Sequence, residues 1–129
     1  MNSKAKSIDD ENIEILVRTF YPEVIADEMI GPFFIEKLGE DIKSDAWEEH
    51  LVLLTQFWRF VALYDDEYNG NPLRPHFDIV GLSKSAFERW LTLFYEAVDR
   101  VYDEKSGALF KQKSAEIAEN FMRRLALST

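Results

Sequence analysis

The sequence predicts an all-α domain, and two observations support that prediction. Apolar residues recur at spacings of three and four over long segments, as they do on one face of an amphipathic helix. No segment alternates apolar and polar residues for long enough to indicate a strand. With 129 residues, 47% of them hydrophobic, the chain is large enough to bury a substantial core. We expect four main helices in one domain over residues 1–129, with residues 1–8 as a flexible N-terminal extension.

The first helix is expected to begin at Asp9 or Asp10, either of which can cap it. Its apolar face carries Ile13, Leu16, Val17, Phe20 and Val24. Pro22 lies within this pattern and has no amide hydrogen to donate. We therefore expect Pro22 to kink the helix, or to split it into two pieces beside Tyr21.

A break separates the first helix from the second. Gly31-Pro32 interrupts the periodic pattern, and the following FFIEKLGEDIK is predicted to be a loop with one short helical turn at most. The second helix should start near Ser44-Asp45, with Glu48 in position for a capping interaction, and run to about Tyr64. One face of it combines His50, Leu54, Phe57 and Val61.

Two further helices complete the predicted bundle. The third should begin around Ser83 or Ser85, and its buried stripe consists of Phe87, Trp90, Leu91, Phe94, Val98 and Val101. The fourth should follow Ser106-Gly107, and its apolar positions are Phe110, Ile117, Phe121 and Leu125.

The connection from Asp65 to Leu82 is long for a compact domain. Connections of more than about a dozen residues are uncommon unless they have a function. This one contains Pro72, Pro75 and His76, and the chain has only two histidines. Two prolines stiffen the backbone around His76, but a single histidine beside apolar residues is more often a hydrogen-bonded structural residue than a ligand.

Charge and composition exclude several classes of function. The net charge of −9 disfavours nucleic acid and anionic membrane as partners. The absence of cysteine excludes disulfides, thiolate metal sites and covalent haem attachment. The N-terminal MNSKAKSIDD lacks the apolar stretch of a signal peptide, and no segment is apolar and long enough to span a bilayer. We therefore expect a soluble cytoplasmic protein, and its small size and dispersed charge suit a monomer.

The chain's ten Phe, five Tyr and three Trp could fill a core or line a pocket for a flat apolar ligand. His50 on an inward helix face and His76 on the stiff connection both lie among such aromatics. Tyr21 O–H, Trp90 Nε1–H and His50 could converge on one small polar ligand. Alternatively, each could hydrogen-bond to backbone carbonyls within the core. The residue pattern leaves both interpretations open.

Five segments then carry a resemblance to a known family. They occur in order and in register over most of the chain, as FY at 20–21, GPFF at 31–34, WEEHLVLLTQFW at 47–58, YNGNPLRPH at 68–76 and FERWLTLFYEAV at 87–98. On these segments the sequence resembles the truncated haemoglobins, most closely their third group. The glycine-pair motifs of the other truncated groups are missing, as in the third group. The resemblance implies a two-over-two helical sandwich and a non-covalent haem b.

The resemblance also implies roles for individual residues. His76 would be the proximal ligand of the haem iron, and Tyr21, His50 and Trp90 would form the distal pocket. Haem-lining positions implied in the same way are Phe34, which would press on the haem face, and Leu54, Trp58, Leu73 and Phe87. Arg74, two residues before His76, is a candidate partner for a haem propionate, or else only faces solvent.

The implied function is binding of O₂, NO or CO, with high O₂ affinity provided by the distal donors. Chemistry on O₂, NO or peroxide, such as NO dioxygenase or peroxidase-like activity with a reductase partner, is an extension of that function, as is oxygen transport. One alternative is an electron-transfer protein in which His50 and His76 both bind the iron. Another is a helical interaction module without a cofactor.

Overall fold

The structure, a computed structural model, describes residues 4–64, 68, 70, 79 and 81–126. Within these ranges it contains five α-helices and, apart from one isolated bridge, no β-structure. The all-α prediction is therefore confirmed, with one helix more than expected. The helices are α1 Asp10–Ala26, α2 Gly31–Leu38, α3 Asp45–Leu63, α4 Lys84–Val101 and α5 Glu104–Arg124.

Helix α1 begins where the sequence predicted. The Asp9 carboxylate accepts from the Asn12 backbone N–H at 2.8 Å, and the Asn12 side chain accepts from the Asp9 N–H at 3.0 Å, which completes a capping box. Pro22 lies inside the helix without ending it. Of the two effects expected of Pro22, a kink or a split, the split beside Tyr21 is therefore wrong, and Tyr21 lies within a continuous helix.

Helix α2 corrects the prediction of a loop after Gly31-Pro32. Pro32 lies in the first turn of α2, where its missing N–H is not needed and its fixed φ favours helix. The Asp27 carboxylate supports this start by accepting from the Met29 and Ile30 N–H groups, both at 3.1 Å. The Gly-Pro pair therefore starts a helix here.

Helix α3 starts and ends as predicted, with a different role for Glu48. Ser44 caps the helix by accepting from the Trp47 N–H at 3.3 Å. Glu48 lies one position too late for a capping box and instead forms an ion pair with Arg18 at 2.8 Å, which links α3 to α1. Tyr64 ends the helix with left-handed backbone angles.

Helix α4 starts after its Ser83 cap as predicted, but α5 starts earlier than expected. Asp103 caps α5 by accepting from the Ser106 N–H at 2.8 Å, so Ser106 and Gly107 lie inside the helix. A Cβ at position 107 would lie 2.8 Å from Val98 Cγ1. Gly107 therefore allows α5 to approach α4 closely, and it does not mark the start of a helix.

The helices pack as two connected pairs. Helix α1 packs against α3, and helix α5 packs against α4. Helix α1 also contacts α4, which connects the two pairs, and it contacts α2. Ala5 joins the start of the described chain to the α4–α5 junction through hydrogen bonds with Val101 and Asp103. Among the helices of the described part, none combines the length and apolar character required to cross a membrane. The fully buried side chains at the centre include Phe20, Trp47, Phe94, Tyr102 and Phe110.

Candidate functional site

A cavity of about 500 Å³ opens between the helices, and its volume is typical of a small-molecule or cofactor site. Its lining is mainly apolar and aromatic, and three polar side chains, those of Tyr21, His50 and Trp90, lie close together and form its polar end. The polar or charged members are Tyr21, Lys37, His50 and Trp90. The remaining members are Ile30, Phe33, Phe34, Leu38, Leu53, Leu54, Phe57, Trp58, Ile79, Leu82, Ala86, Phe87, Ile117, Ala118 and Phe121.

Tyr21 lies on α1 with only 3% of its surface exposed. Its ring packs edge-on against Phe20, with 4.7 Å between the ring centroids, and against Phe34 at 5.9 Å. Burial raises the pKa of the Tyr21 phenol above its ordinary value, and the hydrogen bond from Trp90 only partly opposes this rise. The phenol therefore keeps its proton at neutral pH and can act as a hydrogen-bond donor.

Trp90 reaches the same end of the cavity from α4. Its indole is stacked on Phe94, with centroids 5.0 Å apart, and meets the edge of Phe20 at 5.2 Å. An indole nitrogen can only donate, so Trp90 and Tyr21 both bring hydrogen-bond donors to the cavity that they line. Over the described residues the Tyr21 O–H has no acceptor, so it is available to a molecule in the cavity.

His50 adds a third polar group from α3. Its ring lies edge-on to Tyr21, with 5.9 Å between the centroids. Burial lowers the pKa of His50 to about 4, so the imidazole is neutral at physiological pH. In the described part of the protein its Nε2 is buried without a hydrogen-bond partner. Such a group is costly to leave unsatisfied, and a molecule in the cavity would provide the missing partner.

Asp27 and Arg89 hold the start of α2 beside this cavity. The Asp27 side chain is only 7% exposed, and its Oδ1 lies 2.7 Å from Arg89 Nε on α4. Burial alone would raise the pKa of the Asp27 carboxyl, but Arg89 and the backbone N–H groups of Ile30 and Met29 bring it below its ordinary value. The ion pair thus fixes the helix that carries Phe34 relative to the helix that carries Trp90.

The structure brings together all the predicted site residues that it describes. Tyr21, His50 and Trp90 lie at the polar end, and the predicted apolar residues Phe34, Leu54, Trp58 and Phe87 also line the cavity. Three predicted residues, Leu73, Arg74 and His76, lie outside the described residues. Within the described ranges, no three side chains of His, Cys, Asp or Glu cluster as a metal site.

Lys37 is a lining residue that the sequence interpretation missed. It is the one charged residue that lines the cavity within the described part of the chain. Lys37 lies on α2, three and four positions after Phe34 and Phe33, which places it on the same helix face. This spacing was available in the sequence, but it has a meaning only once residues 31–38 are recognised as a helix.

Comparisons with known proteins agree on one family. The sequence profile described as "Bacterial-like globin" matches residues 9–125. The chain is 34% identical over 122 residues to the group 3 truncated hemoglobin ctb of Campylobacter jejuni, covering 95% of this chain and 94% of that protein. A crystal structure of the group III truncated hemoglobin from Campylobacter jejuni superposes with a TM-score of 0.88, at 35% identity and 95% coverage of each chain.

Proposed function

Because the chain belongs to the bacterial-like globin family, as a group III truncated haemoglobin, we propose that it binds O₂ and other small diatomic ligands at a non-covalent haem b. Membership of a globin family implies haem binding, and the two-over-two fold follows from the structural match. The ligand, the b-type haem and the roles of individual residues are part of the proposal.

The observation that supports this proposal most strongly is the asymmetry of the cavity. Its walls are apolar and aromatic, as a porphyrin ring requires, while Tyr21, His50 and Trp90 gather at one end. The buried His50 Nε2 without a partner and the available Tyr21 proton suit a small polar guest beside the ring. The residues present therefore fit the cofactor that the family implies.

When bound, haem would supply a ferrous iron that takes up a diatomic ligand. The chain's own residues would then set the affinity. The Tyr21 O–H would donate a hydrogen bond to the ligand while keeping its proton, and the Trp90 N–H would support it as a second donor. A donor of this kind contributes about 1 to 3 kcal/mol in a site with little water. We therefore propose slow ligand release and high O₂ affinity.

Residues outside the described ranges complete the proposed site. His76 is proposed as the proximal ligand, with Leu73 lining the cavity and Arg74 available to a haem propionate. Lys37 is a further candidate for a propionate, because it is the one charged side chain that lines the cavity among the described residues. A neutral imidazole ligand and a paired carboxylate are both typical of globin haem sites.

The proposal is tested by adding haem to the apoprotein and following the Soret band and the quenching of tryptophan fluorescence. We expect saturation at one haem per chain, because one cavity accommodates one macrocycle. The variant Phe34→Glu, which places a charge in the apolar wall, should weaken this binding. Failure of the wild-type protein to develop a Soret band would contradict the proposed function.

A second candidate function is electron transfer with His50 and His76 both bound to the iron. The partnerless Nε2 of His50 favours this alternative, because neutral imidazole nitrogen is a good ligand for haem iron. The two candidates differ in the role of His50, which would bind the iron in the second and would leave it free for an added ligand in the first.

We further propose that the protein acts in the cytoplasm as a monomer. Ligand binding is its proposed primary activity. NO dioxygenase or peroxidase-like chemistry would extend that activity and would require electrons from a reductase. The same distal donors, Tyr21 and Trp90, would serve either use.

A further inference from the structure

Trp47 stands directly behind the polar end of the cavity. It is the third residue of α3 and is fully buried, with 0% of its surface exposed. It is not among the residues that line the cavity. Any influence of Trp47 on a bound ligand must therefore act through the side chains that it touches.

The Trp47 indole contacts three predicted site residues from three different helices. Its centroid lies 5.9 Å from that of Tyr21 on α1, 6.2 Å from that of Phe34 on α2 and 5.6 Å from that of His50 on α3. The Phe34 ring is stacked on it, and the His50 ring meets it edge-on. One side chain thus contacts the proposed phenol donor, the imidazole and the aromatic wall.

A hydrogen bond fixes the orientation of this indole. Trp47 Nε1–H donates to the Gly39 carbonyl at 2.8 Å. Gly39 ends α2 with a φ of +85°, a conformation that glycine adopts without steric cost. The bond therefore ties the end of α2 to the first turn of α3, which are the two helices that carry Phe34 and His50.

We propose that Trp47 is a positioning residue that sets the geometry of Tyr21, His50 and Phe34 around the bound ligand. This inference rests on the proposed haem function. Loosening the indole would let the His50 ring, whose Nε2 has no partner in the described structure, occupy more than one arrangement, and it would remove one of the ring contacts that hold Tyr21. Groups behind a metal site commonly change affinity or activity by about tenfold or more when they are removed.

The test compares Trp47→Phe with Tyr102→Phe in the haem-loaded protein. Tyr102 is a matched control, because it is 1% exposed, makes one side-chain hydrogen bond of 2.6 Å to Asn12 and does not line the cavity. Both variants should lower the melting temperature. Only Trp47→Phe should broaden or split the C–O stretching band of the CO complex and accelerate O₂ dissociation, by about tenfold.

The possible outcomes separate the inference from the function on which it rests. A Trp47→Phe protein that is destabilised like Tyr102→Phe but has the wild-type C–O band and O₂ dissociation rate would overturn the positioning role. A wild-type protein that forms no CO complex would overturn the proposed function, and the inference with it. If Trp47→Phe does not fold, Trp47→Tyr replaces it in the same comparison. An altered C–O band and faster O₂ dissociation would again support the positioning role, and wild-type values of both would overturn it.

Discussion

The Tyr21 phenol on α1 and the Trp90 indole on α4 both line the cavity, and both meet the ring of Phe20 edge-on, with 4.7 Å and 5.2 Å between the centroids. An indole nitrogen can only donate, whereas a phenol can both accept and donate. Burial keeps the Tyr21 phenol protonated, and its O–H has no acceptor among the described residues. Tyr21 is therefore the residue through which the protein would donate to a ligand, with Trp90 as its support.

Tyr21→Phe should accelerate O₂ dissociation by roughly fivefold to a hundredfold, because it removes a donor that contributes about 1 to 3 kcal/mol. Stopped-flow displacement of O₂ by CO measures this rate. Tyr95→Phe is the matched control, since the Tyr95 O–H donates to the Lys111 carbonyl on α5 at 3.1 Å and does not line the cavity. An unchanged rate in Tyr21→Phe would show that the phenol does not reach the ligand.

His50→Leu should change the pH dependence of the stability of the apoprotein. The pKa of His50 is about 4 in the folded chain, below the value of about 6.5 for an exposed histidine. The unfolded chain therefore binds more protons between these values, and the His50 contribution to stability, complete above about pH 6.5, is lost as the pH falls towards 4.

The expected size of this loss is about 1 to 2 kcal/mol, reduced from the full shift because the ring is partly exposed. Urea unfolding of the apoprotein at several pH values between 4 and 7 measures it. His50→Leu should lose less stability than wild type over this range. Gln56→Leu, which adds a leucine to the same helix and removes no titratable group, should keep the wild-type slope. Equal slopes for wild type and His50→Leu would show that the folded protein does not exclude the charged imidazole.

Lys37→Met should increase the rate of haem loss by about threefold to fivefold, the modest effect of one solvent-accessible ion pair. Transfer of haem to an excess of apomyoglobin measures the rate. The effect should disappear with haem dimethyl ester, whose esterified propionates carry no charge. Lys43→Met is the control, because Lys43 is exposed and does not line the cavity. If Lys37→Met accelerated the loss of haem and of its dimethyl ester equally, a contact between Lys37 and a propionate would be ruled out.

His76→Gly should weaken haem retention and alter the Soret band, since it removes the proposed proximal ligand. Imidazole added to the solution should restore part of the wild-type spectrum by occupying the vacated position. His50→Leu should keep its haem and show no such recovery. A His76→Gly protein that retained haem with the wild-type spectrum would refute the proximal assignment.

The helix faces that build the site could be predicted from the sequence because they depend on local spacing. Asp9, Ser44 and Ser83 each cap a helix as a short polar side chain ahead of an apolar pattern. His50 and Trp90 were placed on inward faces by the same periodicity. The prediction that these residues share one cavity came from the resemblance to truncated haemoglobins. Periodicity alone could not predict it, because it does not specify which helix faces meet.

Two misinterpreted helix starts show the limit of local signals. Gly31-Pro32 and Ser106-Gly107 both resemble breaks, yet Gly31-Pro32 begins a helix and Ser106-Gly107 lies inside one. The meaning of Gly107 depends on Val98, a residue on another helix. The role proposed for Trp47 was hidden for the same reason, because two of its three ring contacts, Tyr21 and Phe34, lie on other helices.

The visible absorption spectrum of the dithionite-reduced, haem-loaded protein, recorded before and after addition of CO, tests the central claim most directly. The account predicts a high-spin ferrous spectrum that CO converts promptly to a carbonyl-haem form, because the position beside Tyr21 and His50 is open to a ligand. A low-spin ferrous spectrum before CO is added, with slow or no conversion, would contradict the account and favour coordination by both His50 and His76.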